Sequence, residues 1–379
     1  MMNDTQKMEN INKSAPETHK NPKKELESIV DLYLASNPLY RNDGKINELE
    51  VRFGTNTKLA KPISKIDYDN VIKKIYAAGF MTDNNEGLQI LRIQNEYMDM
   101  RTGFTKVSNI RAEIVGLDLI QEYCKSNNIQ KILSMTSSIN STNYKIKFTQ
   151  KTPPTKDGAN VRPVDFYDFN FRVSYQLEQD YSPVSNIAKT IIQKWSDSKK
   201  LFRLLNRVRF SHPDYPFFVD VSIVKGNKKV VGSKVPIPQY TIQDAGVFEN
   251  VETYEVEIEL DNTRIGISTP YDTRDKLLAV LRKGIRLILG AIQGTNYPIS
   301  FEEKETVLQS MMKMIHGKEY QPRRIFPKDF IGPSSYTLQM ENIVENVDNL
   351  NIPNIRKNYS VTDKADGERK LLYISDEWS

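Results

Sequence analysis

Glu48, Glu50 and Arg52 stand two residues apart in the run Asn47-Glu48-Leu49-Glu50-Val51-Arg52-Phe53-Gly54, with apolar side chains between them. On an extended strand the side chains alternate faces, so the three charges share one face and Leu49, Val51 and Phe53 the other. About two hundred residues later the device recurs in Tyr254-Glu255-Val256-Glu257-Ile258-Glu259-Leu260. One such strand is equally the edge of a sheet showing its charges to water. Two suggest an enclosed charged surface. If the sheet closes with these faces inward, carboxylates at such distances either rise in pKa or recruit cations, and a hard divalent cation such as Mg2+ or Mn2+ relieves the repulsion.

Basic residues fall at strand positions between the two acidic runs: Arg111, Lys151, Arg172, Arg207 and Arg209. Taken singly, each is most simply a solvated surface charge. Lining one interior together with the acids, they suit a polyphosphate, whose oxygens metal and guanidinium groups share. The chemistry this favours is metal-assisted attack of water on a terminal phosphoryl group, with a carboxylate orienting the water.

A second constellation lies near the C-terminal end. Val361-Thr362-Asp363-Lys364-Ala365-Asp366-Gly367-Glu368-Arg369 contains K-x-D-G-x-R. Placed in a turn between two extended runs, Lys364 could attack the α-phosphate of a nucleotide if neighbouring cations keep its amine partly neutral. The plain alternative is a polar hairpin turn built on Asp-Gly.

The elements that must position these groups follow from periodicity. Residues 1 to 24 are polar without apolar period and read as a disordered tail. Helices are expected from 25 to about 35, 67 to 78, 117 to 125 and 187 to 195. Strands are expected at 47 to 54, 88 to 98, 104 to 115, 143 to 151, 167 to 177, 217 to 224, 229 to 235 and 254 to 260, with a basic segment at 199 to 209. About eight strands with helices inserted between them suggest an antiparallel sheet able to close into a barrel. Asp272 is expected to cap a helix reaching Leu289, and Ser300 with Glu303 to open another ending near Gly317.

At 379 residues the chain exceeds one ordinary core, and 39% apolar content supplies real ones. The net charge of +5 permits a polyanionic partner without demanding one. Cys124 is alone, and His19, His212 and His316 are scattered, which excludes an internal disulfide and a Cys/His zinc cluster. No apolar run reaches membrane-spanning length and no signal-peptide core is present, so a soluble, intracellular protein is expected.

The two acidic strands with basic strands between them resemble the metal-binding strands of the triphosphate tunnel metalloenzymes, in the branch of metal-dependent RNA 5′-triphosphatases. The resemblance implies an α+β fold, an antiparallel eight-stranded β-barrel tunnel with flanking helices, over residues 25 to 265. It implies Glu48, Glu50 and Glu259 as metal contacts with Glu257 beside them, and Glu255 or Glu257 as the catalytic, water-orienting carboxylate. Arg172, Arg207 and Arg209 would bind phosphate, as would Arg52, Arg111 and Lys151 on a weaker match, and Asp220 would brace a basic side chain. The fungal relatives carry a basic residue where Phe218 stands. K-x-D-G-x-R resembles motif I of covalent nucleotidyltransferases, which implies Lys364 as the carrier of a nucleotide from GTP and Arg369 as its contact. A helical segment at 266 to 320 and a linker at 321 to 335 would precede this nucleotidyltransferase start, 336 to 379, which reads as truncated because only fifteen residues follow Lys364. In that form it is not expected to form the guanylate adduct.

Together these resemble the mRNA capping enzymes of large cytoplasmic DNA viruses, poxvirus and asfarvirus kinds included. That implies 5′-triphosphate RNA and nucleoside triphosphates as substrates, a viral RNA polymerase or methyltransferase subunit as partner, and the host cytoplasm (viral factory) or virion as location. Competing readings are a hydrolase of free nucleoside triphosphates or inorganic polyphosphate on the same fold, a non-catalytic capping-complex module, and a DNA ligase fragment, since K-x-D-G does not distinguish ATP from GTP users.

Overall fold

The computed structural model describes residues 21–55, 61–136, 145–230, 232, 235–332, 337–345, 354–356, 358–361, 363 and 370–374; Lys364 and Arg369 lie outside the described residues. In chain order the elements are α1 (Pro22–Ala35), β1 (Ile46–Phe53), α2 (Lys65–Ala77), β2 (Leu88–Met98), β3 (Thr105–Val115), α3 (Leu117–Ser126), α4 (Ile129–Thr136) and β4 (Lys145–Thr152). There follow the two-residue strands β5 (Thr155–Lys156) and β6 (Ala159–Asn160), then β7 (Val164–Phe166), β8 (Phe171–Tyr181), α5 (Asn186–Gln193), β9 (Lys200–Phe210), β10 (Phe217–Gly226), β11 (Thr253–Leu260), α6 (Arg274–Gln293), α7 (Phe301–His316) and α8 (Met340–Ile343). The chain divides into two compact units, Met1–Pro298 and Ile299–Ser379.

In the first unit eight antiparallel strands run in the order β1-β11-β10-β9-β2-β3-β4-β8, and β8 pairs back onto β1 over its whole length, from Ile46↔Glu178 to Phe53↔Phe171. The barrel is therefore closed and leaves no edge among these eight. β7 fills the place beside the start of β8 that β4 does not reach, with Asp165 opposite Arg172.

Register decides which residues share the interior. Glu50 faces Glu259, Arg52 faces Glu257, Asp220 faces both Glu257 and Arg209, Arg92 faces Arg203 and Glu113, Glu113 faces Lys147, and Lys151 faces Glu178. These charged positions thus fall on one face of the pleat. The opposite face is apolar. Leu49, Val51, Val219, Val221, Val256 and Ile258 pack beneath α1, α2 and α6, and Leu91, Ile93, Ile114, Phe148 and Phe202 beneath α3, α4 and the 242–247 turn. A conventional small barrel fills its centre with apolar side chains. Here the core lies outside the barrel wall and the polar lining inside, interrupted by the apolar row Val224, Leu205, Ile90 and Val115.

Three expectations shift. Over the described part of residues 229–235 there is only an isolated bridge from Lys229 to Pro236, because Gly232 at φ +75 turns the chain back. The eighth barrel strand is instead β9, the basic segment. Strand β8 begins at Phe171, after a single 3-10 turn at Tyr167–Phe169 and Asn170 in the left-handed region. Asp272 does not cap α6; it accepts from Lys276 at 2.8 Å, and Thr273 occupies the cap position without a side-chain bond. Among the described residues no helix is long and apolar enough to cross a membrane.

In the second unit Ser300 caps α7 by accepting from the Glu303 amide at 3.0 Å, and Arg323 makes a two-pronged pair with Asp329 at 3.0 Å for each prong.

Candidate active site inside the barrel

β1 and β11 lie side by side because their apolar faces pack under the same helices, and that pairing presses five carboxylates together. They divide by their partners. Glu257, nearly fully buried, accepts from Arg207 at 2.9 Å and pairs with Arg52 Nε at 2.8 Å. Burial raises its pKa, but Arg207 and Arg52 outweigh burial and hold the carboxyl below its usual range. Glu255 is held by Arg203 at 2.7 Å and Arg52 at 3.3 Å.

The other three acids are less compensated. Among the described residues Glu50 has only Ser174 Oγ at 3.0 Å as a hydrogen-bond donor, and burial, with Glu257 and Glu48 adding repulsion, pushes it up to about 7. Burial likewise raises Glu259, with Asp220 and Glu48 adding, even though Arg209 donates to it at 2.6 Å. Glu48 accepts from Lys151 through one oxygen, while its Oε2 is buried without a hydrogen-bond partner among the described residues. Among the described residues no group of three or more His, Cys, Asp or Glu is arranged as a finished cation site. Even so, an orphaned carboxylate oxygen beside two carboxylates of raised pKa is a donor set that suits a hard divalent cation.

The basic side is equally built. Arg92, Arg111, Lys151 and Arg203, with Gln94, Asn109 and Leu201, line a cavity of about 260 Å3. Glu113, buried on β3, touches Arg92 at 2.9 Å and Arg111 at 2.5 Å; burial raises its pKa, but Arg92, Arg111 and Lys147 bring it down to about 2. Burial pushes the Arg92 guanidinium down, and Arg111, Arg207 and Arg203 push the same way against Glu113. Arg92 Nε touches Glu113 without hydrogen-bond alignment and is otherwise unsatisfied. A crowd of cations with one of them destabilised is a standing demand for an anion.

The structure brings Glu48, Glu50, Arg52, Arg111, Lys151, Arg207, Arg209, Asp220, Glu255, Glu257 and Glu259 into one interior. Asp220 is fully buried and receives both prongs of Arg209, at 2.8 and 2.7 Å, and Arg207 at 3.1 Å. Arg172 is on the interior face but turned to Asp165 at 2.8 and 2.9 Å, and is 42% exposed. Sequence reasoning passed over Arg92, Arg203, Lys147, Glu113 and Glu178 as site residues. For four of them the signal was parity, since Arg203, Lys147, Glu113 and Glu178 each stand an even number of positions from a chosen neighbour on the same strand; Arg92, on β2, has no such neighbour and comes in through its register with Arg203 and Glu113. Phe218 lies under Arg209 at 4.5 Å from the ring centre.

The fold and site define a closed antiparallel barrel with an acidic wall and a basic wall facing each other across its interior. Neither a family model nor a curated protein matches the sequence. Among solved structures, the S. pombe Pct1 RNA triphosphatase is similar at 11% identity and a TM-score of 0.32, covering 76% of this chain and 92% of that one. The same enzyme in complex with the Spt5 CTD is similar at 12% identity and a TM-score of 0.31, covering 76% and 93%.

Proposed function

We propose that the barrel interior hydrolyses the γ-phosphate from the 5′-triphosphate end of nascent RNA, the first step of mRNA capping. The observation that carries this reading is the cation-lined cavity beside three under-compensated carboxylates inside one closed barrel. Arg92, Arg111, Lys151 and Arg203 take the phosphate oxygens and keep the chain of phosphates straight. Glu48, Glu50 and Glu259 would hold Mg2+ or Mn2+, which when bound supplies neutralisation of charge at the transferring phosphoryl group. Glu257, fixed between Arg52 and Arg207, orients the attacking water; Glu255 holds Arg203 and Arg52 in place. Water adds to the γ-phosphorus, the bond to the bridging oxygen breaks, and a 5′-diphosphate end and inorganic phosphate remain.

The test is metal-dependent γ-phosphate release from triphosphate-ended RNA. Glu48→Ala, Glu50→Ala and Glu259→Ala are each expected to lose about 100-fold or more; equal activity of wild type and Glu50→Ala rejects the site. A hydrolase of free nucleoside triphosphates or polyphosphate is the second reading, because the cavity addresses phosphates and no base. Comparing release from RNA and from ATP separates them. The occurrence of K-x-D-G-x-R in the same chain supports a place in a large DNA virus capping enzyme, with Lys364 as the bearer of the guanylate.

A further inference from the structure

On the outer surface, α6 carries its apolar stripe, Leu277, Leu281, Ile285 and Ile288, against the barrel and turns Arg282, Lys283 and Arg286 to solvent. No Asp or Glu occurs from residue 276 to residue 301. The turn after α6 comes back to α2. Asn296 accepts from Lys74 Nζ at 2.8 Å through its side chain and from Arg286 Nε and Nη2 at 3.2 Å through its carbonyl. Tyr297, 75% exposed, lies under the Arg286 guanidinium at 5.2 Å from the ring centre. Among the described residues none of Lys74, Arg282, Lys283 and Arg286 has an acidic partner within salt-bridge distance. The acids of these helices, Asp67, Asp69 and Asp275, sit in their opening turns, where Lys65 engages Asp69 and Arg274 lies beside Asp275.

This ridge adjoins one mouth of the barrel. Tyr76, half exposed in the last turn of α2, meets Phe210 edge-on at 5.1 Å between ring centres. Phe210 is the last residue of β9, and its predecessor Arg209 stands 41% exposed on the interior face at that end. A helix C-terminus favours a cation or two by itself. It does not explain an exposed tyrosine layered on an arginine within an acid-free stretch of 26 residues.

We infer that this ridge binds the single-stranded RNA that follows the triphosphate, the chain passing out beside Arg209. The four cations meet phosphodiesters, and the Arg286–Tyr297 pair offers a stacking platform for a base. The inference rests on the tunnel reading for the path of the RNA, but its binding can be read without hydrolysis. It makes the substrate a polynucleotide and names what distinguishes it from a free nucleotide, which has no backbone to lay on the ridge.

The experiment measures fluorescence anisotropy of a short single-stranded RNA with a 5′-hydroxyl end across a salt series, for wild type, the triple variant Arg282→Ala/Lys283→Ala/Arg286→Ala, and Tyr297→Ala. The triple variant is expected to bind about tenfold more weakly, with the slope of log K against log salt smaller by about 2, at roughly 0.7 per phosphate contact on a single strand. Tyr297→Ala is expected to weaken binding with the slope unchanged. Both keep wild-type γ-phosphate release from ATP, which separates loss of the ridge from loss of the fold. Unchanged RNA binding in the triple variant overturns the inference, as does a polyglutamate peptide of equal charge binding as tightly as RNA. If no hydrolysis is found in any variant while the RNA-binding difference persists, the tunnel reading falls and the ridge stands.

Discussion

A carboxylate partly buried among other carboxylates gives up its proton late, and Glu50 is such a group. Its folded pKa of about 7 lies above the ordinary 4.5. Between those values the unfolded chain holds fewer protons, so stability falls as pH rises through this window and levels off above it. Glu113 works in the opposite sense at lower pH: depressed to about 2, it stabilises fully above 4.5 and loses that contribution as pH falls towards 2. The expected melting profile in the absence of divalent cations declines from about pH 4.5 to 7, and Glu50→Gln flattens that decline. A profile identical to wild type in Glu50→Gln contradicts the assignment. Asp220 carries a different burden, since two arginines share it in full burial. Asp220→Ala should cost about 3 kcal/mol by urea titration, because it removes the buried acid shared by Arg207, which is mostly buried, and Arg209, and leaves each with a single carboxylate partner. Both acidic strands were legible from residue types at a spacing of two. How the acids divide was not, because it depends on which arginines of distant strands reach across the interior.

At the scale of elements, alternation carried most of the information. β1, β2, β3, β10 and β11 match their expected ranges closely because each alternates polar and apolar residues with at least two successive apolar positions on the face it buries. β9 was harder to see. Its basic residues drew attention to charge, although Phe202 and Phe210 on the opposite face mark it as a strand. Short α4 carries Ile129, Ile132 and Leu133 at helical spacing, but over only eight residues, and three-residue β7 has no pattern of its own. The 229–235 segment had strand-like residues, yet Gly232 and Pro236 prevent a ladder. Helix α6 shows how tightly an element is fitted to the wall: a Cβ on Gly284 would stand 2.6 Å from Phe217 Cζ, in a ring held by Tyr215 and Phe80. Crowding of this kind costs about 1–3 kcal/mol and opposes a helix-propensity gain of about 1 kcal/mol. Gly284→Ala is therefore expected to lower the melting temperature, measured by circular dichroism; a rise would show that α6 shifts freely.

At the scale of the molecule, the first unit owns the whole of both walls, and every interior contact described above lies between Met1 and Pro298. A protein ending at Pro298 is expected to unfold in one transition and to keep the γ-phosphate release of the full chain. Lys364→Ala in the full chain should likewise leave that release unchanged.

The closure that makes the interior also sets a schedule for biosynthesis. β1 is made early, but its two neighbours in the wall, β8 and β11, begin at Phe171 and Thr253. At about 5–20 residues per second on the ribosome, a gap of about 200 residues keeps β1 without its last partner for about 10–40 seconds. Throughout that interval the face bearing Leu49, Val51 and Phe53 has at most α1, α2 and later β8 beside it, and lacks β11 and helix α6. Nascent chains stalled before Thr253 should therefore recruit holdase chaperones, and chains stalled well past Gln293 should release them.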